Sequence, residues 1–340
     1  MENTRISVIG AGGWGTALSL LLAKNGYEID LWVFEQDLCQ QIKERRENLF
    51  FLPGFIIPES VHPTNSLEET IKGNNIVLLA VPTHIVRKTA NDLAPLLNSD
   101  TLVINASKGI ENDSLCTIQQ ILEQVLPKSC DLATISGPTF AFEVAKEIPS
   151  AIVAATESKV HAEHIQNIFS CPYLKVFTSN DPIGVQLGGA LKNVIAIAAG
   201  ISDGLKYGHN SRAALITRGL VEITRIGTAL GARSETFSGL SGLGDLVLTC
   251  TGELSRNRKV GLQIGQGQKI DAILNNMQTV AEGILTVKSA YALKSKLNIQ
   301  ASIIEETYKV LYQSKSPLHA VKDLMQVNIT SEFADIKNLQ

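Results

Sequence analysis

Arg5-Ile-Ser-Val-Ile-Gly10-Ala-Gly12-Gly-Trp-Gly15 is the stretch from which the fold is read. Its first six residues form a short β-branched run closed by glycine, the pattern of a buried strand. From Trp14 to Asn25 the apolar residues recur at helical spacing, and Gly26 stands where a left-handed residue ends a helix. A second strand is expected over Glu28–Phe34. Strand, glycine turn, helix, strand is a βαβ unit, whose parallel strands a right-handed crossover must join. The turn itself matches GxGxxG. Gly10 permits the tight turn, Gly12 lets a pyrophosphate approach the backbone, and Gly15 lets helix and strand pack closely. The helix N-terminus offers unpaired N–H groups and a partial positive charge to the phosphates. A dinucleotide-binding turn is therefore expected.

The alternation continues outward. Ser66-Leu-Glu-Glu69 is a capping box that should open a short helix. Strand candidates follow over 76–81, 101–106, 133–136, 150–155 and 174–178, with helical stretches between most of them. This predicts an α/β fold, a Rossmann-type doubly wound, mostly parallel sheet covered on both faces. Near Asp181-Pro182 the pattern changes to long helical runs, so an all-α C-terminal domain is expected. The division is 1–181 for the dinucleotide-binding domain and 182–332 for a helical, substrate-binding domain.

Composition narrows the partners. A chain of 340 residues suits two domains, and 44% hydrophobic with 19% charged residues argues against disorder. Thirty basic against thirty-three acidic residues give a net charge of −3, which points away from nucleic acid or a membrane surface. Ile183–Ile201 is apolar enough to test as a membrane span. It carries Gln186, Lys192, Asn193 and four glycines, and so reads as a buried core helix. Cys39, Cys116, Cys130, Cys171 and Cys250 are odd in number and lack a CxxC pair, as expected of reduced thiols in the cytoplasm. The N-terminus lacks the apolar stretch of a signal peptide. His161 and His164, spaced i and i+3, have no acid-rich or Cys-rich partner set, so no metal is expected. The sequence also lacks the GxSxG elbow of a hydrolase.

Several polar residues stand where physics disfavours them. Lys192 lies in the apolar run Val185-Gln-Leu-Gly-Gly-Ala-Leu-Lys-Asn-Val-Ile-Ala-Ile-Ala-Ala199. Gly188 and Gly189, about one turn before it, each cost a helix about 1 kcal/mol relative to alanine. Space for a ligand beside the lysine head would be one compensating reason. A lysine withdrawn from water is a candidate proton donor, whereas an ordinary lysine would snorkel its head to solvent. Lys108 follows a strand at the sheet edge where open α/β sheets bind ligands. Ser136-Gly-Pro-Thr-Phe140 ends another strand near a helix start, a second possible anion cradle around Thr139. Gly239-Leu-Ser-Gly-Leu-Gly-Asp245 turns into the run Leu246-Val-Leu-Thr249; Asp245 either caps a helix or orients a lysine. Ser255-Arg-Asn-Arg258 joins two guanidinium forks to amide and hydroxyl donors, a composition suited to phosphate. The candidate catalytic set is Lys192, Lys108, Asp245 and Thr249. Glu35, twenty residues past Gly15, favours NAD, while Lys43, Arg45 and Arg46 one helix later could hold the 2′-phosphate of NADP.

Taken together, these motifs resemble the bacterial NAD(P)-dependent glycerol-3-phosphate dehydrogenase family, roughly from Arg5 to Leu318. The resemblance is carried by Gly10-Ala-Gly-Gly-Trp-Gly-Thr-Ala17, Phe51-Leu-Pro-Gly54, Ser107-Lys-Gly109, Ile135-Ser-Gly-Pro-Thr-Phe140, the run from Gly184 to Ile197, Gly242-Leu-Gly-Asp-Leu246 and Ser255-Arg-Asn-Arg258. It implies reversible reduction of dihydroxyacetone phosphate to sn-glycerol 3-phosphate, the precursor of glycerophospholipids, by a cytoplasmic enzyme that is often dimeric. Lys192 would be the acid/base, with Lys108 between cofactor and substrate. Gly137, Thr139, Asp245, Ser255, Arg256 and Asn257 would hold the substrate. Gly13, Trp14, Phe34, Ala141, Arg256, Val280 and Glu282 would contact the dinucleotide. The cofactor implied is NADP or NAD, with NADPH the family's usual choice. Two positions depart from the commoner pattern: Gly13 precedes Trp14 where a serine and an aromatic are usual, and Phe34 stands where histidine or arginine is frequent. The rival readings are a β-hydroxyacid or 6-phosphogluconate-type dehydrogenase and a non-catalytic nucleotide sensor. The former usually has asparagine four residues after its lysine, where this chain has Ala196.

Overall fold

Ten strands and seven helices alternate through the first half of the chain in a computed structural model that describes residues 4–277 and 281–326. In order they are β1 (Arg5–Ile9), α1 (Gly13–Lys24), β2 (Glu28–Trp32), α2 (Gln36–Arg45), β3 (Glu47–Asn48), β4 (Leu52–Ile56), β5 (Val61–Thr64), α3 (Leu67–Ile71), β6 (Ile76–Leu79), α4 (Val86–Leu93), β7 (Leu102–Asn105), α5 (Ile118–Val125), β8 (Asp131–Ser136), α6 (Ala141–Ala145), β9 (Ser150–Ala155), α7 (Lys159–Phe169) and β10 (Leu174–Ser179). Eight strands form one sheet in the order β10-β9-β8-β7-β6-β1-β2-β5, while β3 and β4 pair separately. Every neighbouring pair in the large sheet is parallel except β8 with β9. Strand order reverses at β1: the chain moves outward to β2 and β5, then returns on the other side with β6. The carboxyl end of β1 is therefore a topological switch point, where such sheets bind ligands.

Both faces of the sheet are covered. Ile6, Val8, Leu31 and Ile104 pack with Leu18, Leu22 and Ile165, whereas Ile9, Val77, Leu79 and Val103 pack with Val86, Ala90, Ile118 and Ile121. Alternate residues of each strand serve opposite layers, as strand geometry requires. Three short strands go beyond the expected set: β3, β4 and β5. The first two are brief and separate from the main sheet, and β5 is an edge strand containing Pro63, so none carries an alternating apolar signature. The capping box at Ser66 forms only in its forward half. The Ser66 hydroxyl accepts from the Glu69 N–H at 3.2 Å, but the Glu69 carboxylate accepts from Thr64 Oγ1 at 2.7 Å instead of reaching back.

Beyond β10 the described residues are helical: α8 (Pro182–Gly204), α9 (Gly208–Ala229), α10 (Ser234–Phe237), α11 (Asp245–Thr251), α12 (Arg256–Gly265), α13 (Ile270–Asn275), α14 (Glu282–Lys296), α15 (Ser302–Tyr312) and α16 (Pro317–Gln326). The chain divides into two compact units, with the boundary between Pro182 and Ile183. A short excursion, Gly109–Leu115, belongs to the helical unit and places Ile110 in its core. No local pattern marked that excursion. The apolar span long enough to cross a membrane is α8, and 94% of its most apolar 18-residue stretch is buried inside the protein. Its neighbour α12 lies against it almost without side chains: a Cβ on Gly200 would sit 2.1 Å from Arg258 O, and one on Gly261 would sit 2.0 Å from Ile197 O. Paired small residues spaced by four let the two backbones meet.

Candidate active site: a glycine turn and a buried lysine

In the sheet unit, the glycine turn sits at the carboxyl end of β1, where the switch point requires it. Gly10 has φ +113°, and a Cβ there would come within 2.7 Å of Ala80 O. A Cβ on Gly15 would lie 1.9 Å from Gly10 O, so helix and turn can pack only without it. Gly12 differs: nothing lies within 4 Å of its Cβ position. No contact within the protein demands that glycine, and the open space is what a pyrophosphate needs at the start of α1. Gly12 also precedes α1 without a side-chain cap, leaving the first-turn N–H groups for a ligand. The turn therefore fits a dinucleotide.

Asn48 supports this turn, and the sequence reading had no signal for it. The side chain is fully buried; its Nδ2 donates to Ala11 O at 2.8 Å and Thr16 Oγ1 at 2.9 Å, while its Oδ1 accepts from Phe51 N at 3.0 Å. Asn48 thus ties the Phe51-Leu-Pro-Gly54 stretch to the glycine turn, and Phe51 O lies 3.0 Å from the Cβ position of Gly13. Trp14 is half-buried against the core, Ala141 begins α6, and Phe34 is 64% exposed beyond the end of β2.

Lys108 and Gly137 come together at the carboxyl ends of β7 and β8. Lys108 Nζ donates to Gly137 O at 3.2 Å, and Thr139 Oγ1 donates to the same carbonyl at 3.2 Å. Gly137 has φ +154°, and a Cβ would lie 2.8 Å from Ala151 O. The anion cradle expected at the helix start here gains no support from a helix dipole. The helix that follows, α6, runs only five residues, too few to align a useful dipole, so the segment contributes a carbonyl that positions Lys108.

In the helical unit, α8 and α11 bring three of the candidate residues together. Lys192 is 6% exposed and Asp245 fully buried. Lys192 Nζ pairs with Asp245 Oδ1 through a short contact and donates to Thr249 Oγ1 at 2.8 Å; Thr249 Oγ1 in turn donates to Asp245 Oδ1 at 3.3 Å. Asp245 and Thr249 stand one turn apart on α11, so one helix face presents both to the ammonium. Asp245 is therefore not a helix cap. The glycine-dense Leu240–Gly244 turn coils as a π-helix directly before it. A Cβ on Gly188 would lie 2.6 Å from Ser241 O, so this mid-helix glycine serves close packing of α8 on that turn rather than space for a ligand. Cys250, beside Thr249, has its thiol pushed up to about 12 by burial and is inert as a nucleophile near neutral pH.

At the start of α12 the phosphate-suited group divides. Ser255 caps the helix, its hydroxyl accepting from Arg258 N at 3.2 Å. Asn257 Oδ1 accepts from Gly283 N at 3.0 Å, joining the first turns of α12 and α14, where Glu282 is the first residue. Arg256 is exposed at the first helical position. The second fork is not available to a phosphate: Arg258 Nε and Nη2 lie 2.8 and 2.7 Å from Asp203 Oδ2, and Arg212 Nε holds Oδ1 at 2.8 Å. This partly buried trio binds α8, α9 and α12 together. Val280 lies outside the described residues.

A doubly wound nucleotide-binding unit, followed along the chain by a helical unit with a lysine held by a buried aspartate, defines a nicotinamide-dependent dehydrogenase. Two family models cover nearly all of it: the N-terminus of NAD-dependent glycerol-3-phosphate dehydrogenase matches residues 5–162 and its C-terminus matches 181–322. The chain belongs to the NAD-dependent glycerol-3-phosphate dehydrogenase family. It is 51% identical over 330 residues to glycerol-3-phosphate dehydrogenase [NAD(P)+] of Syntrophotalea carbinolica, covering 96% of this chain and 99% of that one. The Citrifermentans bemidjiense enzyme of the same name is 51% identical over 330 residues, covering 96% of this chain and 98% of its own. The solved glycerol-3-phosphate dehydrogenase of Coxiella burnetii superposes with a TM-score of 0.92 at 35% identity, covering 95% of this chain and 99% of that one.

Proposed function

We propose that this chain catalyses the reversible NAD(P)H-dependent reduction of dihydroxyacetone phosphate to sn-glycerol 3-phosphate, in the cytoplasm and as a homodimer, supplying glycerophospholipid synthesis. The observation that carries this reading is the buried Lys192–Asp245–Thr249 cluster in a chain of this family. The first turn of α1 and the glycine turn would hold the dinucleotide, with Phe34, Trp14, Ala141, Arg256 and Glu282 at its edges. When bound, the reduced nicotinamide supplies the hydride.

The remaining work falls to the protein's own groups. As the ketone carbon is reduced, negative charge grows on its oxygen. Lys192 donates a hydrogen bond to that oxygen and then a proton from Nζ. Asp245 and Thr249 hold the ammonium in place beforehand, so no solvent reorganisation is needed at the moment of reaction. Lys108, oriented by the Gly137 carbonyl, supports the same charge. Arg256 and the N–H groups at the start of α12, with Ser255, Asn257 and Thr139, hold the substrate, using remote phosphate binding to orient the reacting carbon.

Purified protein mixed with dihydroxyacetone phosphate and NADH or NADPH tests the reading. Substrate-dependent loss of reduced-nicotinamide absorbance is expected. Binding of dinucleotide without such loss would sink it in favour of a sensor, and turnover of a 3-hydroxyacid instead would favour the rival dehydrogenase.

A further inference from the structure

Lys192 and Asp203 stand about three turns apart on α8, so one side of that helix carries both. Lys192 meets α11 through Asp245, whereas Asp203 reaches α9 and α12. Both carboxylate oxygens of Asp203 are used. Arg212 holds Oδ1 from Nε at 2.8 Å and from Nη2 at 2.6 Å; Arg258 holds Oδ2 from Nε at 2.8 Å and from Nη2 at 2.7 Å. The Asp203 side chain is 5% exposed, so little water competes for these charge-assisted bonds.

Arg258 belongs to the first turn of α12, the turn that also carries Arg256 and Asn257. The backbones bring that turn beside Lys192. A Cβ on Gly200 would lie 2.1 Å from Arg258 O, and one on Gly204 would lie 2.4 Å from Leu262 O. Four residues forward on α8 match four forward on α12, so the two helices run parallel and the start of α12 points back toward the level of Lys192. Gly283 closes the gap: its Cβ position is 3.1 Å from Asn193 O, next to Lys192, and 2.5 Å from Asn257 Oδ1. Glycine contacts let the helices touch but offer few interlocking side chains to stop one sliding along the other. The forked pair between Arg258 and Asp203 supplies that stop.

We infer that Arg258, anchored on Asp203, is a positioning residue for the substrate: it fixes the first turn of α12 at the distance from Lys192 that the phosphate and ketone of dihydroxyacetone phosphate span. Its guanidinium is spent on Asp203, so it acts through the placement of Arg256, Asn257 and the N–H groups around them. A phosphate ester with its ketone one carbon further away would meet the same grip at the wrong distance from the ammonium, so the restraint also selects substrate length. The inference rests on the proposed reaction and names the residue that sets its geometry.

Arg258→Lys and Arg212→Lys test it, because each keeps its charge beside Asp203 and loses only the fork. Arg258→Lys should lower kcat/KM for dihydroxyacetone phosphate by roughly 10–100-fold, the scale on which a displacement of about 1 Å acts. Arg212→Lys, on the α9 side of the same carboxylate, should leave kcat/KM near the parental value. Inorganic phosphate, used as a competitive inhibitor, needs the turn but not its distance from Lys192. Its Ki should therefore be the same in the parent and both variants, and NAD+ affinity by calorimetry should be unchanged. A Ki that rises in step with the loss of kcat/KM would overturn the inference by making Arg258 part of the phosphate grip. Equal losses in the two variants would overturn it as general loosening of the helical unit, and an unaltered kcat/KM in Arg258→Lys would remove the role outright. Absence of dihydroxyacetone phosphate turnover by the parent protein would instead remove the proposed reaction, and with it the distance that the clamp sets.

Discussion

Replacing Lys192 by methionine separates chemistry from architecture. The Lys192 and Asp245 side chains are 7% and 1% exposed, so neither charge has bulk solvent to fall back on. Methionine fills much of the lysine stem's volume but removes the ammonium that Asp245 Oδ1 pairs with. Stranding one member of a buried pair costs about 3–5 kcal/mol of stability. Asp245→Asn removes the ammonium's carboxylate partner and should cost a similar amount. The Lys192→Met/Asp245→Asn double variant strands neither, so its loss should fall short of the sum of the single losses by roughly 2–3 kcal/mol. Activity should not recover with it, because the proton donor is gone: kcat should stay down by roughly 1,000-fold or more in both Lys192→Met proteins. NAD+ affinity should remain near that of the parent, since the glycine turn is untouched. Urea unfolding of the four proteins, initial rates with dihydroxyacetone phosphate, and calorimetric NAD+ titration give the three readouts. Additive stability losses would refute the buried pair, and a Lys192→Met enzyme within tenfold of parental kcat would refute the catalytic role.

Two glycines of one motif should behave oppositely. Gly12→Ala should leave unfolding stability within about 0.5 kcal/mol while weakening dinucleotide binding roughly tenfold or more; Gly15→Ala, forced against Gly10 O, should cost about 1–3 kcal/mol of stability. Matching thermal midpoints for the two variants would contradict this. Arg256→Ala should raise KM for dihydroxyacetone phosphate by roughly 10–100-fold, the worth of about 1.5–3 kcal/mol for a charged hydrogen bond; an unchanged KM would remove Arg256 from phosphate binding. Glu222 gives a pH prediction. Its carboxylate accepts from Ile303 N at 2.8 Å and Ile304 N at 3.1 Å at the start of α15, yet burial pushes its carboxyl up to about 7, with those N–H groups and the charges of Arg225 and Arg218 opposing. Because the folded value lies above the ordinary 4.5, the protonated side chain favours the folded state. That contribution is complete below about pH 4.5 and is lost as pH rises through about 7. Glu222→Gln should therefore gain up to about 3 kcal/mol on the parent between about pH 5 and about pH 8. Parallel stability curves over that range would show that the carboxyl does not titrate there.

Much of this protein could be read from order and spacing alone. The βαβ unit, the glycine turn and the change to helices near Asp181 follow from period-two and period-3.6 apolar patterns, which any sufficiently long element must carry to bury one face. The oddity of Lys192 was equally visible, because a charge inside an apolar helix contradicts its surroundings whatever those surroundings become. Family motifs placed the remaining candidates on numbered residues.

Tertiary structure decided what each polar group is for. Asp245 could have been a cap, Arg258 a phosphate ligand, Arg46 a 2′-phosphate ligand and Gly188 a vacancy beside the lysine. Each acquired its partner from residues far off in sequence: Lys192, Asp203, the carbonyls of 57–61 and Ser241. Asn48 carries no signature of its hold on the glycine turn, since the partners of its Nδ2 lie more than thirty residues back along the chain. Hydrophobic patterning is a property of a segment, and a sequence displays its segments in full. A hydrogen bond or ion pair is a property of two groups in space, and only the folded chain determines which two meet.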